Sequence, residues 1–337
     1  MFAASRLLAF SLVASAATAP LCSCSPSGGS QGNQAAAAAP LAASSPAAKI
    51  TPPPVGAAKP VDYPGLPNVV TYHDGFICGG VPEGKAGFDT LAAMGVKTII
   101  SVDGSVPDIA EAKAHGMRYV HLPFGYNGFD EPRELEMAQA VERFEGGGPI
   151  YIHCHHGKHR SASAAGTVSV CMGWMDNAEA AQLMKVSGTA PNYTGLYKCT
   201  ADAKPLTPAQ LSAAPANFPE VTRPNGFVES MVAIDETNDR LKAIEKHGWK
   251  APADHPDLAP VAEAAQLESL FRVLGETERA KPKAGKGEIA TLLGQAGERA
   301  QGLEDMLAKG EPDPAKLSAQ FALIASSCKN CHAKYRD

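Results

Sequence analysis

At 337 residues and 45% hydrophobic content, the chain has the length for two domains and enough apolar material to give each a core. A net charge of -5 and a pI near 6.1, with no basic tail, exclude non-specific nucleic-acid binding. Eight cysteines, at 22, 24, 78, 154, 171, 199, 328 and 331, do not space out as the disulfide framework of a small domain, so each has to be read locally.

Arg6 followed by the Ala-rich apolar run Leu7 to Leu21 has the proportions of a secretory signal peptide and is too short for a membrane span. Leu21-Cys22-Ser23-Cys24 resembles a bacterial lipoprotein cleavage box. The resemblance implies Cys24 as an acylated first residue and a periplasm-facing place in the bacterial envelope, held to the membrane only by lipid; cleavage without lipid is the alternative. Residues 25–60 are Ser, Gly, Gln, Ala and Pro with almost nothing large and apolar, so burial there cannot offset the entropy of ordering, and a tether is expected.

A first folded unit is expected over 61–203. Phe88, Leu91 and Met94 with Gly95 closing read as a helix, Lys97 to Asp103 as a buried strand, and Pro107 to His115 as a helix. Arg118 to Leu122 reads as a strand and Pro132 to Phe144 as a helix. Strands alternating with helices imply an α/β fold with a parallel sheet covered on both faces. Cys78, Cys171 and Cys199 read as buried thiols or as one disulfide.

The most informative stretch is Pro149-Ile-Tyr-Ile-His-Cys-His-His-Gly-Lys-His-Arg-Ser-Ala-Ser163, a strand, a tight loop and a helix. Cys154 ends the strand and Arg160 opens the helix. Amides of such a loop, together with the positive end of the helix dipole, make a cradle for a tetrahedral dianion, and that field favours the thiolate. A buried Cys beside a stray Arg is the bland reading. His153-Cys154, five residues, then Arg160-Ser161 resembles the signature of the protein tyrosine and dual-specificity phosphatase superfamily. The stretch from Ile77-Cys78-Gly79-Gly80 to Ser101-Val102-Asp103-Gly104 is similar to the opening of dual-specificity-like phosphatases of bacterial envelopes. The resemblance implies Cys154 as nucleophile, Arg160 as a fork on phosphate oxygens, Ser161 as an aid to thiolate release and His153 as an orienter of the loop.

It also implies an Asp as general acid. Tyr126 or Asn127 stands at the expected place, so Asp130 ranks first and Asp103 second; the plain readings are a helix N-cap for Asp130 and a turn residue for Asp103. His155, His156, Gly157, Lys158 and His159 form a substrate-binding loop rich in potential cations. It resembles that of the phosphoinositide-directed branch, which implies a polyanionic phosphoester or a phosphorylated protein as partner. The alternative is that the charge serves Cys154 alone.

Residues 204–224, rich in Pro and Ala, read as a linker. Over 225–337, four amphipathic runs predict an all-α four-helix bundle: Phe227 to Ile244, Leu258 to Leu274, Ile289 to Leu307 and Leu317 to Ile324, the last opened by Asp313-Pro314. The final run ends Cys328-Lys-Asn-Cys331-His332, two thiols on one helix face with an adjacent imidazole, which reads as covalent haem c attachment. With Tyr335-Arg336 following, it resembles the cytochrome c′ and c-556 family, which implies thioethers at Cys328 and Cys331, His332 on the iron, and Met231 either as a second ligand or as an apolar blocker. A zinc clip or a redox disulfide is the alternative. The expected protein is an exported Cys-dependent phosphatase with a haem domain for electron transfer or sensing, and so with a redox partner. The rival is a haem protein whose phosphatase-like unit only binds a phosphorylated partner.

Overall fold

The computed structural model describes residues 49–213, 217–222, 226–280, 286–309 and 313–335, all within one compact unit, Ala47–Asp337. The leader with Cys22 and Cys24, the tether up to 48, and Arg336 lie outside the described residues.

Six strands form one sheet: β1 (Val61–Tyr63), β2 (Leu66–His73), β3 (Phe76–Gly79), β4 (Thr98–Ser101), β5 (Arg118–His121) and β6 (Ile150–His153), in the order β1-β2-β3-β6-β4-β5. The four strands from β3 to β5 are parallel, whereas β1 and β2 add on antiparallel. The expectation of a purely parallel sheet is therefore corrected to a mixed one. Tight turns at Gly65 and Gly75, both at positive φ, link β1 to β2 and β2 to β3, where no helix intervenes.

Alternation divides the sheet residues between two cores. Ile77, Ile99, Tyr119 and Tyr151 face α1 (Gly84–Ala93) and α2 (Ile109–Ala114). Cys78, Ile100, Val120 and Ile152 face the other way, onto α3 (Glu131–Glu145), α4 (Arg160–Cys171) and α5 (Asn177–Ser187). Every residue of α4 is buried, which its Ala, Ser and Gly content permits: α5 and α6 (Thr194–Asp202) pack close, and Ser163 donates to the carbonyl of Leu196. Asp176 and Glu179 form a reciprocal capping box at the start of α5.

The tether expected over 25–60 gives way to ordered chain before its end. The Ile50 amide bonds the carbonyl of Ala93, and Pro53 accepts from the Thr71 hydroxyl. The 204–224 stretch is likewise more than a linker. Leu206 bonds back to Cys171, α7 (Pro208–Ala213) follows, and the Pro219 carbonyl accepts from the amide of His121 at the edge of the sheet.

Four long helices complete the chain: α8 (Phe227–Lys246), α9 (Pro260–Arg279), α10 (Lys286–Ala308) and α11 (Pro314–Tyr335). Asp313 bonds the Ala315 amide at the start of α11. Their apolar faces, with Leu241, Leu267, Phe271, Leu303 and Phe321, join the same core as one face of the sheet. No described helix is long and apolar enough to cross a membrane.

Candidate active site

β6 lies between β3 and β4 and delivers Cys154 to the carboxyl edge of the sheet, where α4 begins at Arg160. The loop between them is held from outside by its carbonyls. His155 accepts from the Val81 amide (3.1 Å), Gly157 from Asn68 Nδ2 (2.9 Å) and Lys158 from the Thr189 hydroxyl. In a trans peptide the C=O of one residue and the N–H of the next point in opposite directions, so these three contacts turn the amides of His156, Lys158 and His159 inward. That is the geometry of an anion cradle. Gly157 is required: its φ is +74°, and a Cβ there would lie 2.4 Å from the backbone of Gly79 and Gly80.

Cys154 sits at the base, 2% exposed, with its Sγ 3.2 Å from Ser161 Oγ. Behind it His153 is buried between Tyr119, whose hydroxyl is 2.8 Å from Nε2, and the Cys154 carbonyl, 3.3 Å from Nδ1. Nδ1 must donate to that carbonyl, so Nε2 accepts from the phenol. Burial lowers the His153 pKa to about 4, leaving a neutral ring that fixes the loop.

Arg160 is 2% exposed. Its Nη2 donates to Asp103 Oδ1 (2.5 Å) and to the Tyr126 hydroxyl (3.1 Å), and its guanidinium lies 4.3 Å above the Tyr126 ring. Its Nε is buried with no hydrogen-bond partner. An orphaned guanidinium donor is costly unless a ligand takes it, and a phosphate oxygen is the acceptor this cradle would supply.

The two Asp candidates part here. Asp130 is exposed and caps α3, accepting from the Arg133 amide at 3.1 Å, which is the plain reading of that residue. Asp103 is the carboxylate brought to Arg160. Burial alone would raise its pKa, but the guanidiniums of Arg160 and Arg272 outweigh burial and hold it well below the usual carboxylate range. An ion clamped in this way has no proton to give, so Asp103 as general acid is corrected to Asp103 as a fixture of Arg160. Its backbone is fixed as well: Thr222 donates its amide to Nδ1 of His121, which leaves His121 Nε2 to donate to the Asp103 carbonyl at 2.7 Å.

The loop histidines are not the cations expected. Burial, with Arg272 and other nearby positive groups, lowers the His155 pKa to about 3, and burial does the same for His159. His156, lowered too by burial, faces Gln301 across 3.3 Å. His159 is stacked on Tyr193 at 4.2 Å. Besides Arg160, the loop's other basic side chain is the exposed Lys158. Sequence reasoning missed Asn68 and Arg272, and it left Tyr126 only as a substitute for the expected Asp. The positive φ of Asn68 (+59°) and its reach across 89 residues to Gly157 leave no local signature.

At the far end of the chain, Cys328 and Cys331 are partly buried free thiols one turn apart on α11, and His332 is exposed. Among the described residues, no group of three or more His, Cys, Asp or Glu side chains converges as a metal-ligand set. Trp249, just beyond the end of α8, meets Ser318 and Phe321 in the first half of α11. Beside Met231, Val228 is 74% exposed and Val232 53% exposed. Two thiols one turn apart with an adjacent exposed imidazole are a donor set whose chemistry fits a covalently held porphyrin.

No family model matches the chain, and no curated protein matches it. Several solved structures are similar to part of it. TpbA of P. aeruginosa is 20% identical, covering 44% of this chain and 92% of its own, with a TM-score of 0.39. The core catalytic domain of the PP-IP phosphatase SIW14 from S. cerevisiae is 16% identical over 43% of this chain and 87% of its own (TM-score 0.35). Human DUSP28 is 20% identical over 43% of this chain and 97% of its own (TM-score 0.34).

Proposed function

We propose that this chain is an exported Cys-dependent phosphomonoesterase that carries haem c on its C-terminal helices. The observation that supports the hydrolase reading is the loop from Cys154 to Arg160, with its carbonyls bound to the surrounding scaffold, its amides turned in, and a buried Arg160 Nε without a hydrogen-bond partner. The Cys154 thiolate attacks phosphorus; an S–P bond forms as the P–O bond to the leaving group breaks. Inward amides and Arg160 hold the charge on the phosphoryl oxygens. Water then cleaves the S–P bond, releasing phosphate, and Ser161 stabilises the returning thiolate.

With Asp103 ionised and Asp130 at a helix cap, neither candidate protonates the leaving oxygen in this arrangement. Aryl phosphates, whose leaving groups need least help, are therefore the favoured substrates, with phosphotyrosine in a protein as the natural form. A polyanionic substrate has less support, because the loop histidines are neutral.

On the C-terminal helices, Cys328 and Cys331 would hold the haem and His332 would ligate the iron, with Met231 as a second ligand or an apolar blocker. The group would supply one-electron or small-ligand chemistry when bound. Export, lipid attachment and a redox partner belong to the same reading, because haem c attachment is an envelope process.

The ionised Asp103 also favours a second reading, in which the cradle only binds a phosphorylated partner. Turnover of p-nitrophenyl phosphate and of an alkyl phosphate by the parent and by Cys154→Ser separates the two. The hydrolase reading expects aryl turnover that falls roughly 10⁴-fold or more in the variant. Turnover of neither ester by the parent leaves only the binding module.

A further inference from the structure

The C-terminal helices meet the first unit over the cradle. From α9, Val273 lies against Gly104, Gln266 against Gly125, and Glu263 accepts from Asn127. From α10, Gln301 faces His156 and Glu304 accepts from Tyr193, which is stacked on His159. One contact does more than cover. Arg272 places Nη1 3.1 Å from Asp103 Oδ2 and Nη2 3.1 Å from Oδ1. The same guanidinium donates to Ser105 Oγ (2.6 Å) and to Glu268 Oε1 (3.0 Å), so its plane is fixed from three sides.

A planar fork on both oxygens fixes the plane of the carboxylate, which a lysine could not do. Oδ1 of that carboxylate is also the acceptor for Arg160 Nη2. We infer that Arg272, supplied by α9, is a positioning residue of the phosphate cradle: it fixes Asp103, which in turn fixes the Arg160 guanidinium that takes the phosphate. The inference rests on the reading of the cradle as a phosphatase site. It makes the site composite, with α9 as part of the enzyme.

The test uses the full chain with Arg272→Met, Arg272→Lys, Asp103→Asn and the double variant R272M/D103N. Steady-state turnover of p-nitrophenyl phosphate is measured together with inhibition by orthovanadate, an oxyanion that needs the Arg160 fork. Arg299→Gln, which loses bonds to Leu323 and Ser327 within the helices, controls for loosened helix packing and is expected to match the parent. R272M is expected to lower kcat/KM by about 10²-fold, the scale of a misplacement of about 1 Å, and to weaken vanadate inhibition. R272K should recover part of the loss, and the double variant should be no worse than D103N alone, since both changes break one chain of contacts.

Parent-like kinetics and vanadate inhibition in R272M overturn the inference, as do losses that add in the double variant. Faster turnover in R272M overturns it too, and marks Arg272 as a latch that keeps the mouth shut. If R272M does not fold, R272K decides: a several-fold loss supports the inference and parent-like values overturn it. Lack of Cys154-dependent turnover in the parent refutes the phosphatase reading instead. Vanadate binding then still judges Arg272, with equal affinity in parent and R272M counting against it.

Discussion

The cradle and the end of α11 both carry cysteine thiols, yet they are built in opposite ways. Around Cys154 the structure closes in from distant parts of the chain, and Arg160 and Asp103 are almost wholly buried. Around Cys331 it is more open, with the adjacent His332 imidazole exposed. A buried ion pair costs desolvation that only dense partnering recovers, so a preorganised anion site has to be assembled from many parts of the chain. A covalently attached porphyrin brings its own apolar surface and its own bonds, and needs from the protein little more than two thiols, a ligand and a strip to cover. Under the haem proposal, the first site is finished by folding, whereas the second would be completed by a group that folding does not supply.

The largest effect that could break this contrast concerns the open end. Cys328→Ser with Cys331→Ser should abolish covalent haem, read as complete loss of the pyridine haemochrome signal, while leaving Cys154-dependent turnover in place. A wild-type chain purified from a haem-c-competent host without that signal would remove the haem reading altogether.

The closed site is tested next by Gly157→Ala. Positive φ and a collision with the backbone of Gly79 and Gly80 should cost about 3 kcal/mol in denaturant unfolding and abolish turnover. Parent-like stability would mean that the loop is looser than its contacts imply.

A smaller effect concerns Glu304, buried on α10, whose pKa burial pushes up to about 7 from 4.5, with Glu268 adding to the rise against the pull of the Tyr193 hydroxyl. A raised carboxyl pKa gives stability that is fully present below about 4.5 and is lost as pH rises through about 7. Glu304→Gln should therefore flatten the fall in stability across that window, a difference of at most about 3 kcal/mol at pH 8. An unchanged pH profile would place the titration elsewhere.

The smallest expected change is Asn68→Ala. It strips the Gly157 and Ser187 carbonyls of one donor and should cost about 1–2 kcal/mol, with a modest loss of turnover.

Much of this was legible in the chain alone. The strand, loop and helix around Cys154 declare themselves because a run of β-forming residues, a Gly and a row of small helix formers are adjacent, and α8 to α11 declare themselves through apolar spacing that repeats every turn. The β1 to β3 meander was not legible. β1 is only three residues long, and Asn68, at positive φ, interrupts the pattern of β2. The proton inventory was also out of reach, because the four histidines at 153, 155, 156 and 159 lower their pKa values through burial, and burial is a property of the packed chain.

By itself, then, the sequence determined the local chemistry: a Cys and an Arg at the two ends of an anion-binding loop, and two thiols with an imidazole on one helix. Tertiary structure alone decided that Asp103 is a clamped anion, that Asp130 is a cap, and that an arginine 169 residues further along the chain is fixed to the same carboxylate as Arg160. The physical reason is range. Helix, turn and loop preferences act between neighbours, whereas the charge state of a buried group is set by whatever the fold brings against it, however distant in the chain.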